Sequence, residues 1–449
     1  MSRQKIALSD HFTYTRLFRF VLPSVVMMVF TSIYGVVDGL FVSNYAGKTA
    51  FAAINLIMPF LIILGSFGFM LGTGGTALVS RVMGEGKKEL ANRYFSMLVL
   101  FAIVLGAILT AVGLLTVRPV AVMLGATEAM IEDCVLYGRI VASFIIPFML
   151  QNMFQSFLIA AEKPKLGLLA TVLAGVTNMV LDWLFVGVMG GGVAGAAIAT
   201  GISQSVGGLL PLIYFAMPNK SLLRLGWAKF EARPLIQASW NGSSELMSNI
   251  SSSLISALYN FQLMKYFGED GVSAYGVVMY VQFIFVAIHF GYAVGSSPIV
   301  SYHYGAQNHP ELRGLLKKSM IIMGVLDALM FAAAILLAPA LANIFVGYDA
   351  TLCTLTENAF HIYAFSFLLA GFNIYASSFF TALNNGGVSA AISFLRTLIF
   401  QTTSVLVLPL ILGADGLWWA ATSAEVLAFI VSMTFLIALR KKYHYFENT

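Results

Sequence analysis

Residues 94–117 have the sequence YFSMLVLFAIVLGAILTAVGLLTV, which contains no charged side chain and lies between Arg93 and Arg118. A helix needs about 20 mostly apolar residues to cross the hydrocarbon core of a bilayer. This run is therefore predicted to be a transmembrane helix. The whole chain fits that interpretation, because 59% of its 449 residues are hydrophobic, only 10% are charged and the mean hydropathy is +0.86. Water-soluble folds are excluded.

Apolar runs of this kind recur along the chain between short polar segments. They predict an all-α membrane protein with twelve transmembrane helices, because each span and its loop takes about 37 residues and no soluble domain is left over. The predicted spans lie near residues 17–41, 53–79, 94–117, 135–158, 166–187, 194–215, 237–264, 272–299, 315–340, 357–381, 389–412 and 417–439.

The basic residues predict the orientation, since Lys and Arg are retained on the cytoplasmic side of a membrane. With the amino terminus inside, the cytoplasmic segments hold every Lys and Arg except Lys48, Arg118, Arg139, Lys265 and Arg396. Both termini are therefore predicted to be cytoplasmic, in the inner membrane of a bacterium. The net charge of +5 is explained by this topology, and no nucleic-acid partner is expected.

The second half of the chain repeats features of the first at an offset of 221 residues. The residues that match are Gly47 with Gly268, Ser80 with Ser301, Gly84 with Gly305, Gly192 with Gly413, and Gly195 with Gly416. Six spans is an even number, so the repeat predicts two six-helix lobes related by a parallel pseudo-twofold axis along the membrane normal. The predicted parts are an amino-terminal lobe (1–216), a cytoplasmic linker (217–236) and a carboxy-terminal lobe (237–449).

Carboxylates within the spans are candidates for function, because each costs at least about 2.5 kcal/mol in the bilayer. Five are present: Asp38, Asp182, Glu245, Asp327 and Glu425. Asp38, Asp182 and Thr200 lie at one depth, roughly 8 to 12 Å below the outer surface at about 1.5 Å per residue. Asn178 shares a helical face with Asp182. These four residues can bind a small cation or hold a shared proton; alternatively, the two acids are independent interfacial residues.

The repeat confines this predicted site to the amino-terminal lobe, because the offset places Tyr259 opposite Asp38 and Thr403 opposite Asp182. Other polar residues recur at helical spacing, so they either line a substrate cavity or form hydrogen bonds between helices. The predicted cavity residues are Thr31, Tyr34, Gln151, Gln155, Glu245 and Asn249. Arg396 is expected to neutralise Glu425 or Asp327.

Several motifs resemble the multidrug and toxic compound extrusion (MATE) family of secondary transporters. They are Pro23, Tyr34-Gly35-Val36-Val37-Asp38, Gly84-Glu85-Gly86, Ala160 to Pro164, Asn178-Met179-Val180-Leu181-Asp182 and Gly192-Val193-Ala194-Gly195-Ala196-Ala197. The resemblance implies twelve helices in two lobes, cationic drug-like substrates, and export driven by inward Na⁺ or H⁺. It also implies a cation site at Asp38, Asn178, Asp182 and Thr200, a bend at Pro23, and a family acid at Glu245.

The expected activity is secondary antiport of small organic compounds by a monomer that needs no cofactor besides the coupling ion, Na⁺ or H⁺. ATP is not expected to drive it, because position 42 is Val42 where a phosphate loop ending at Lys48 and Thr49 would need Gly. No hydrolase or zinc-protease motif predicts an enzyme. The alternatives are a flippase for a lipid-linked oligosaccharide precursor and a membrane enzyme or receptor.

Overall fold

The computed structural model of this protein describes residues 6–42, 45 and 47–446, and this part of the chain contains helices and no strands. The helices in chain order are α1 (Tyr14–Phe41), α2 (Lys48–Gly84), α3 (Lys88–Met123), α4 (Ile131–Ala142), α5 (Ile145–Ala160), α6 (Pro164–Asp182), α7 (Gly192–Ala216), α8 (Ala232–Asn241), α9 (Ser243–Gly305), α10 (His309–Val346), α11 (Ala350–Tyr363), α12 (Phe367–Ala382), α13 (Gly386–Phe394), α14 (Gln401–Leu412), α15 (Gly416–Ala438) and α16 (Arg440–Tyr443). Two π-helical segments, Trp183–Val188 and Leu395–Phe400, follow α6 and α13.

The described helices make twelve membrane crossings, which confirms the predicted number. Nine helical stretches are long and apolar enough to span a bilayer, and α4 with α5 forms a tenth span bent by 58°. Two of the nine, α9 with 63 residues and the stretch Gly386–Ala438 with 53, are too long for one crossing. Gly268 (φ 66°) and Gly413 (φ 68°) interrupt them, so each makes two crossings. The twelve crossings form two six-helix lobes.

The start of the seventh span differs from the prediction of one helix over 237–264. A separate helix, α8, ends at Asn241, and α9 begins at Ser243. Gly242 lies at the corner between them, where a side chain would overlap the Met70 carbonyl of α2. This close approach of the two backbones needs a glycine and turns the chain before it crosses the membrane. The predicted linker, 217–236, therefore includes the first half of α8.

The two lobes meet through matching glycines at one end of the molecule. A Cβ atom on Gly84 would overlap the carbonyl oxygen of Tyr302, and one on Gly305 would overlap that of Arg81. Both pairs obey the offset of 221, so α2 and the second half of α9 cross each other about a pseudo-twofold axis. We call this end, which holds residues 81–88 and 302–311, the inner end.

The structure is closed at the inner end, where the amino-terminal segment joins both lobes. The Leu8 amide donates to Glu162 Oε1 of the amino-terminal lobe at 2.9 Å, and the Phe12 amide donates to Glu311 Oε1 of the carboxy-terminal lobe at 2.8 Å. Toward the other end, α9 exposes polar side chains one turn apart: Ser252, Ser256 and Asn260. Polar residues within a span avoid lipid, so this face favours contact with water or with other helices.

Candidate functional site

The predicted carboxylates Asp38 and Asp182 meet inside the amino-terminal lobe, where α1 packs against α6. The Asp38 carboxyl group contacts the side chains of both Asp182 and Asn178. Asp182 and Asn178 are buried, and Asp38 is partly buried. Asn178 and Asp182 lie one turn apart on α6, so they present their oxygens to the same point. The structure thus brings these three predicted residues together.

Thr200 of α7 is connected to the carboxylates through Tyr137, a residue that was not predicted from the sequence. The Tyr137 hydroxyl lies beside the Thr200 side chain. It is also close enough to Asp38 and Asp182 to interact electrostatically with both carboxyl groups. Tyr137 belongs to α4 and is fully buried. Nothing in its sequence distinguishes it from the other 17 tyrosines of the 18 in the chain, because its position depends on how α4 packs against α7.

The oxygens at this site lack hydrogen-bond partners among the described residues. They are Asp38 Oδ1, both carboxylate oxygens of Asp182, Asn178 Oδ1 and Thr200 Oγ1. Buried polar atoms are almost always paired, and a buried charge is costly unless a counter-charge neutralises it. No Lys, Arg or His in the described part of the chain forms an ion pair with either carboxylate. The four oxygens of Asp38, Asn178 and Asp182 therefore fit a small, hard cation or a shared proton, and Thr200 is connected to them through Tyr137.

The backbone changes its helix type next to this cluster. Helix α6 ends at Asp182, and the chain continues as the π-helix Trp183–Val188. A π-helical turn contains one residue more than an α-helical turn, and such segments often occur at functional sites. The change rotates the residues that follow Asp182 relative to those before it. Helix α1 continues through Pro23, and the bend predicted there stays a prediction.

Two of the predicted cavity residues, Tyr34 and Gln151, lie beside Asp38, and a third, Gln155, lies one turn further along α5. The Tyr34 hydroxyl contacts the Gln151 side chain and lies near Asp38. Gln151 packs on Gly207 of α7, where a Cβ atom would lie 2.7 Å from it. Gln155 is buried, and its Oε1 has no partner among the described residues. This group of polar side chains extends the cluster into the lobe.

Glu245 lies elsewhere, in a small cavity between the two lobes. The cavity has a volume of about 10 Å³, which is room for about one water molecule. Hydroxyl groups form most of its wall: Thr73, Thr76, Ser156, Ser297, Ser378 and Thr381. The remaining two predicted residues bond to their own helices, since Asn249 donates to the Glu245 carbonyl and Thr31 to that of Met27. The small cavity at Glu245 does not include the other five, and a substrate cavity shared by all six residues stays a prediction.

Two acids within the spans of the carboxy-terminal lobe, Glu425 and Asp327, have partners. Arg396 binds Glu425 through three contacts of 2.7, 2.9 and 3.0 Å, which confirms one of the two pairings expected for Arg396. Asp327 Oδ1 lies 2.7 Å from His289 Nε2, although the geometry of this contact is not that of a hydrogen bond. The same Asp327 oxygen accepts a hydrogen bond from the Gly371 amide at 3.2 Å.

The counterpart of Asp38, Tyr259, is buried in the carboxy-terminal lobe against another tyrosine. Its ring stacks on Tyr275 with a centroid distance of 4.8 Å. A buried tyrosine therefore takes the place of Asp38, and Thr403 takes that of Asp182, so the repeat does not place a carboxylate pair here. The two lobes share a helix arrangement but differ in the chemistry at this position.

Comparisons with known proteins agree with this architecture. The MatE family model matches residues 23–184 and 246–405, one segment in each lobe. The chain is 23% identical over 429 residues to the multidrug export protein MepA of Staphylococcus haemolyticus, covering 94% of this chain and 93% of that one. It is 24% identical to MepA of Staphylococcus aureus over the same lengths.

Solved structures show the same fold. One, a crystal structure of MATE in complex with MaL6, superposes with a TM-score of 0.90 at 21% identity and covers 98% of this chain and 100% of that one. Another, an outward-facing multidrug resistance MATE family transporter, gives a TM-score of 0.90 at 22% identity over the same shares.

Proposed function

Because this chain belongs to the MatE family, we propose that it is a secondary antiporter, which exports small cationic or amphipathic compounds in exchange for inward Na⁺ or H⁺. One observation carries the proposal: Asp38 and Asp182 are adjoining acids whose buried oxygens have no partner among the described residues. Two buried carboxylates need a positive charge beside them. A site of this kind binds a cation when it is closed and releases it when water enters.

Coupling follows if the ion and the substrate favour opposite conformations of the transporter. A ligand shifts a conformational equilibrium only by its difference in affinity for the two states. A cation bound at Asp38 and Asp182 neutralises the carboxylates, which then no longer attract a cationic substrate. Tyr34 and Gln151, which adjoin Asp38, are the candidates for transmitting this change to the substrate path.

The alternative is a flippase for a lipid-linked oligosaccharide precursor, whose anionic substrate would need basic residues in the cavity. Two bases within the spans are candidates. Arg396 is already bound to Glu425 at 2.7 Å, and Arg139 is an exposed residue of α4. Asp38 and Asp182 are unpaired in the amino-terminal lobe, whereas Arg396 is neutralised by Glu425 in the carboxy-terminal lobe. This difference in charge favours a cationic substrate. The Staphylococcus relatives carry the name multidrug export protein.

The test is ethidium transport in liposomes that contain the purified protein, under an imposed Na⁺ gradient or an imposed H⁺ gradient. The wild type should move ethidium under one gradient, and Asp38→Asn and Asp182→Asn should abolish that movement. Asp270→Asn is the matched control, because it removes an exposed carboxylate next to the break at Gly268, outside the proposed site.

The outcomes separate the hypotheses. Full driven transport by Asp38→Asn would contradict the cation site. No ethidium movement under either gradient, with the wild type folded, would favour the flippase, which can be tested with a fluorescent lipid-linked oligosaccharide in the same liposomes. Loss of transport in Asp270→Asn as well would show that the assay reports on folding and not on the site.

A further inference from the structure

The connection between the two lobes carries basic and aromatic residues that face outward. Residues 217–241 contain one acid, Glu231, and four exposed basic residues: Lys220, Arg224, Lys229 and Arg233. Trp227 is 91% exposed and Trp240 is 61% exposed. Tryptophan concentrates where a membrane meets water, and basic residues near that level attract anionic headgroups.

This connection is fixed in place along the start of α3. Asn92 Oδ1 accepts from the Arg224 amide at 2.7 Å, and Ser96 Oγ accepts from the Gly226 amide at 3.0 Å. Arg93 pairs with Glu231 at 2.9 Å, which neutralises the only acid of the connection. The remaining basic side chains therefore present an uncompensated positive charge at a defined position.

Helix α8 divides into two faces. Leu235 and Ala238 are buried against the protein, whereas Arg233, Ile236 and Trp240 are exposed at a spacing of three and four residues. The exposed stripe is thus charged at its beginning and apolar at its end. Seven residues separate Arg233 from Trp240, which is about 10 Å along a helix.

The apolar end of this stripe forms one side of a groove, and α3 forms the other. The groove has a volume of about 360 Å³ and is lined by Phe101, Leu235, Ile236, Ser239, Trp240 and Ser243. Phe101 lies five residues beyond Ser96 on α3, which is about one and a half turns, so the groove begins where the bonded connection ends. Its length and apolar lining suit the upper part of an acyl chain.

We propose that this groove and the basic residues beside it bind one anionic phospholipid, with the phosphate at Arg233 and Lys229 and an acyl chain between Phe101 and Trp240. The basic residues match the phosphate of the lipid, and the apolar groove matches its acyl chain. The lipid would lie against the segment that joins the lobes, where α8 also approaches α2 at Gly74.

The test uses Trp240 fluorescence in phosphatidylcholine liposomes that contain a small fixed fraction of brominated phosphatidylglycerol or brominated phosphatidylcholine. The share due to Trp240 is the difference between the wild type and Trp240→Phe. Brominated phosphatidylglycerol should quench it more strongly. A basic side chain near an anionic leaflet contributes roughly fivefold in binding, so Arg233→Gln with Lys229→Gln should reduce the preference roughly 25-fold.

The control is Arg440→Gln with Lys441→Gln, which removes two exposed basic residues just after α15, near the carboxy terminus. It should keep the preference. Equal quenching by both lipids in the wild type, or equal loss in both double variants, would overturn the proposal in favour of general attraction to the surface. An absence of quenching by either lipid would also overturn it, because protein would then cover the groove.

Discussion

Neutralising Glu425 should destabilise the protein strongly, although this acid lies far along the chain from the proposed cation site. Its carboxylate accepts from Arg396 Nε at 2.9 and 3.0 Å and contacts Arg396 Nη2 at 2.7 Å. Asn373 donates to it at 2.7 Å. Together Asn373, Arg396 and Glu425 link the fourth, fifth and sixth spans of the carboxy-terminal lobe. The Glu425 side chain is 7% exposed.

The magnitude follows from what Glu425→Gln leaves behind. The side chain of Arg396 is 17% exposed, so its guanidinium would remain inside the lobe without its counter-charge. Breaking a buried ion pair from one side costs about 3 to 5 kcal/mol, whereas replacing both partners with apolar residues is often neutral. We therefore expect the double variant Arg396→Met with Glu425→Met to be more stable than either single variant.

The assay is the free energy of unfolding, measured by adding sodium dodecyl sulfate to dodecyl maltoside micelles. The single variants Arg396→Met and Glu425→Met, the double variant and the wild type form a mutant cycle, for which we expect a coupling energy of about 2 kcal/mol. Asp182→Asn is the comparison, because it removes a carboxylate from contact with a like group and should not lower stability. A Glu425→Gln variant as stable as Asp182→Asn, with no coupling in the cycle, would refute the reasoning.

Two further predictions concern the closed inner end. Gly305→Ala places a Cβ atom against the Arg81 carbonyl, so it should open this end and slow ethidium transport. A Cβ atom on Gly276 meets no atom within 4 Å, so Gly276→Ala should have no effect. Labelling of a cysteine introduced at the inner end checks both expectations. Glu311→Gln weakens the bonds that hold the amino-terminal segment and should make that segment cleavable by added protease, since its carboxylate accepts from the Phe12 amide at 2.8 Å. Unchanged cleavage would show that apolar contacts alone hold the segment.

The partners of the buried charges show where sequence reasoning stops. Sequence placed Arg396 within reach of both Glu425 and Asp327, and the structure assigns it to Glu425 while Asp327 contacts His289. The choice depends on how each helix is rotated about its axis. Helical periodicity fixes which residues of one helix share a face, but it does not say which neighbouring helix that face meets.

The cation site was more predictable than the cavity. Asp38, Asn178 and Asp182 could be grouped because depth in the membrane follows directly from position along a span. Tyr137 was missed because its long side chain reaches the site from another depth. Glu245 was grouped with Tyr34 and Gln151 because polar residues recur at helical spacing and because it matches the family acid; it lines a small cavity that contains neither of them.

The sequence by itself determined the membrane class, the twelve crossings and the repeat, because apolar length and glycine position are local properties of the chain. Only the tertiary structure decided that Gly84 and Gly305 cross at the inner end, that α8 breaks away from α9, and that two unpaired acids meet in one lobe while an arginine pairs with Glu425 in the other. Those features depend on the rotation and packing of helices that are distant in sequence, and many rotations satisfy the same hydrophobic pattern.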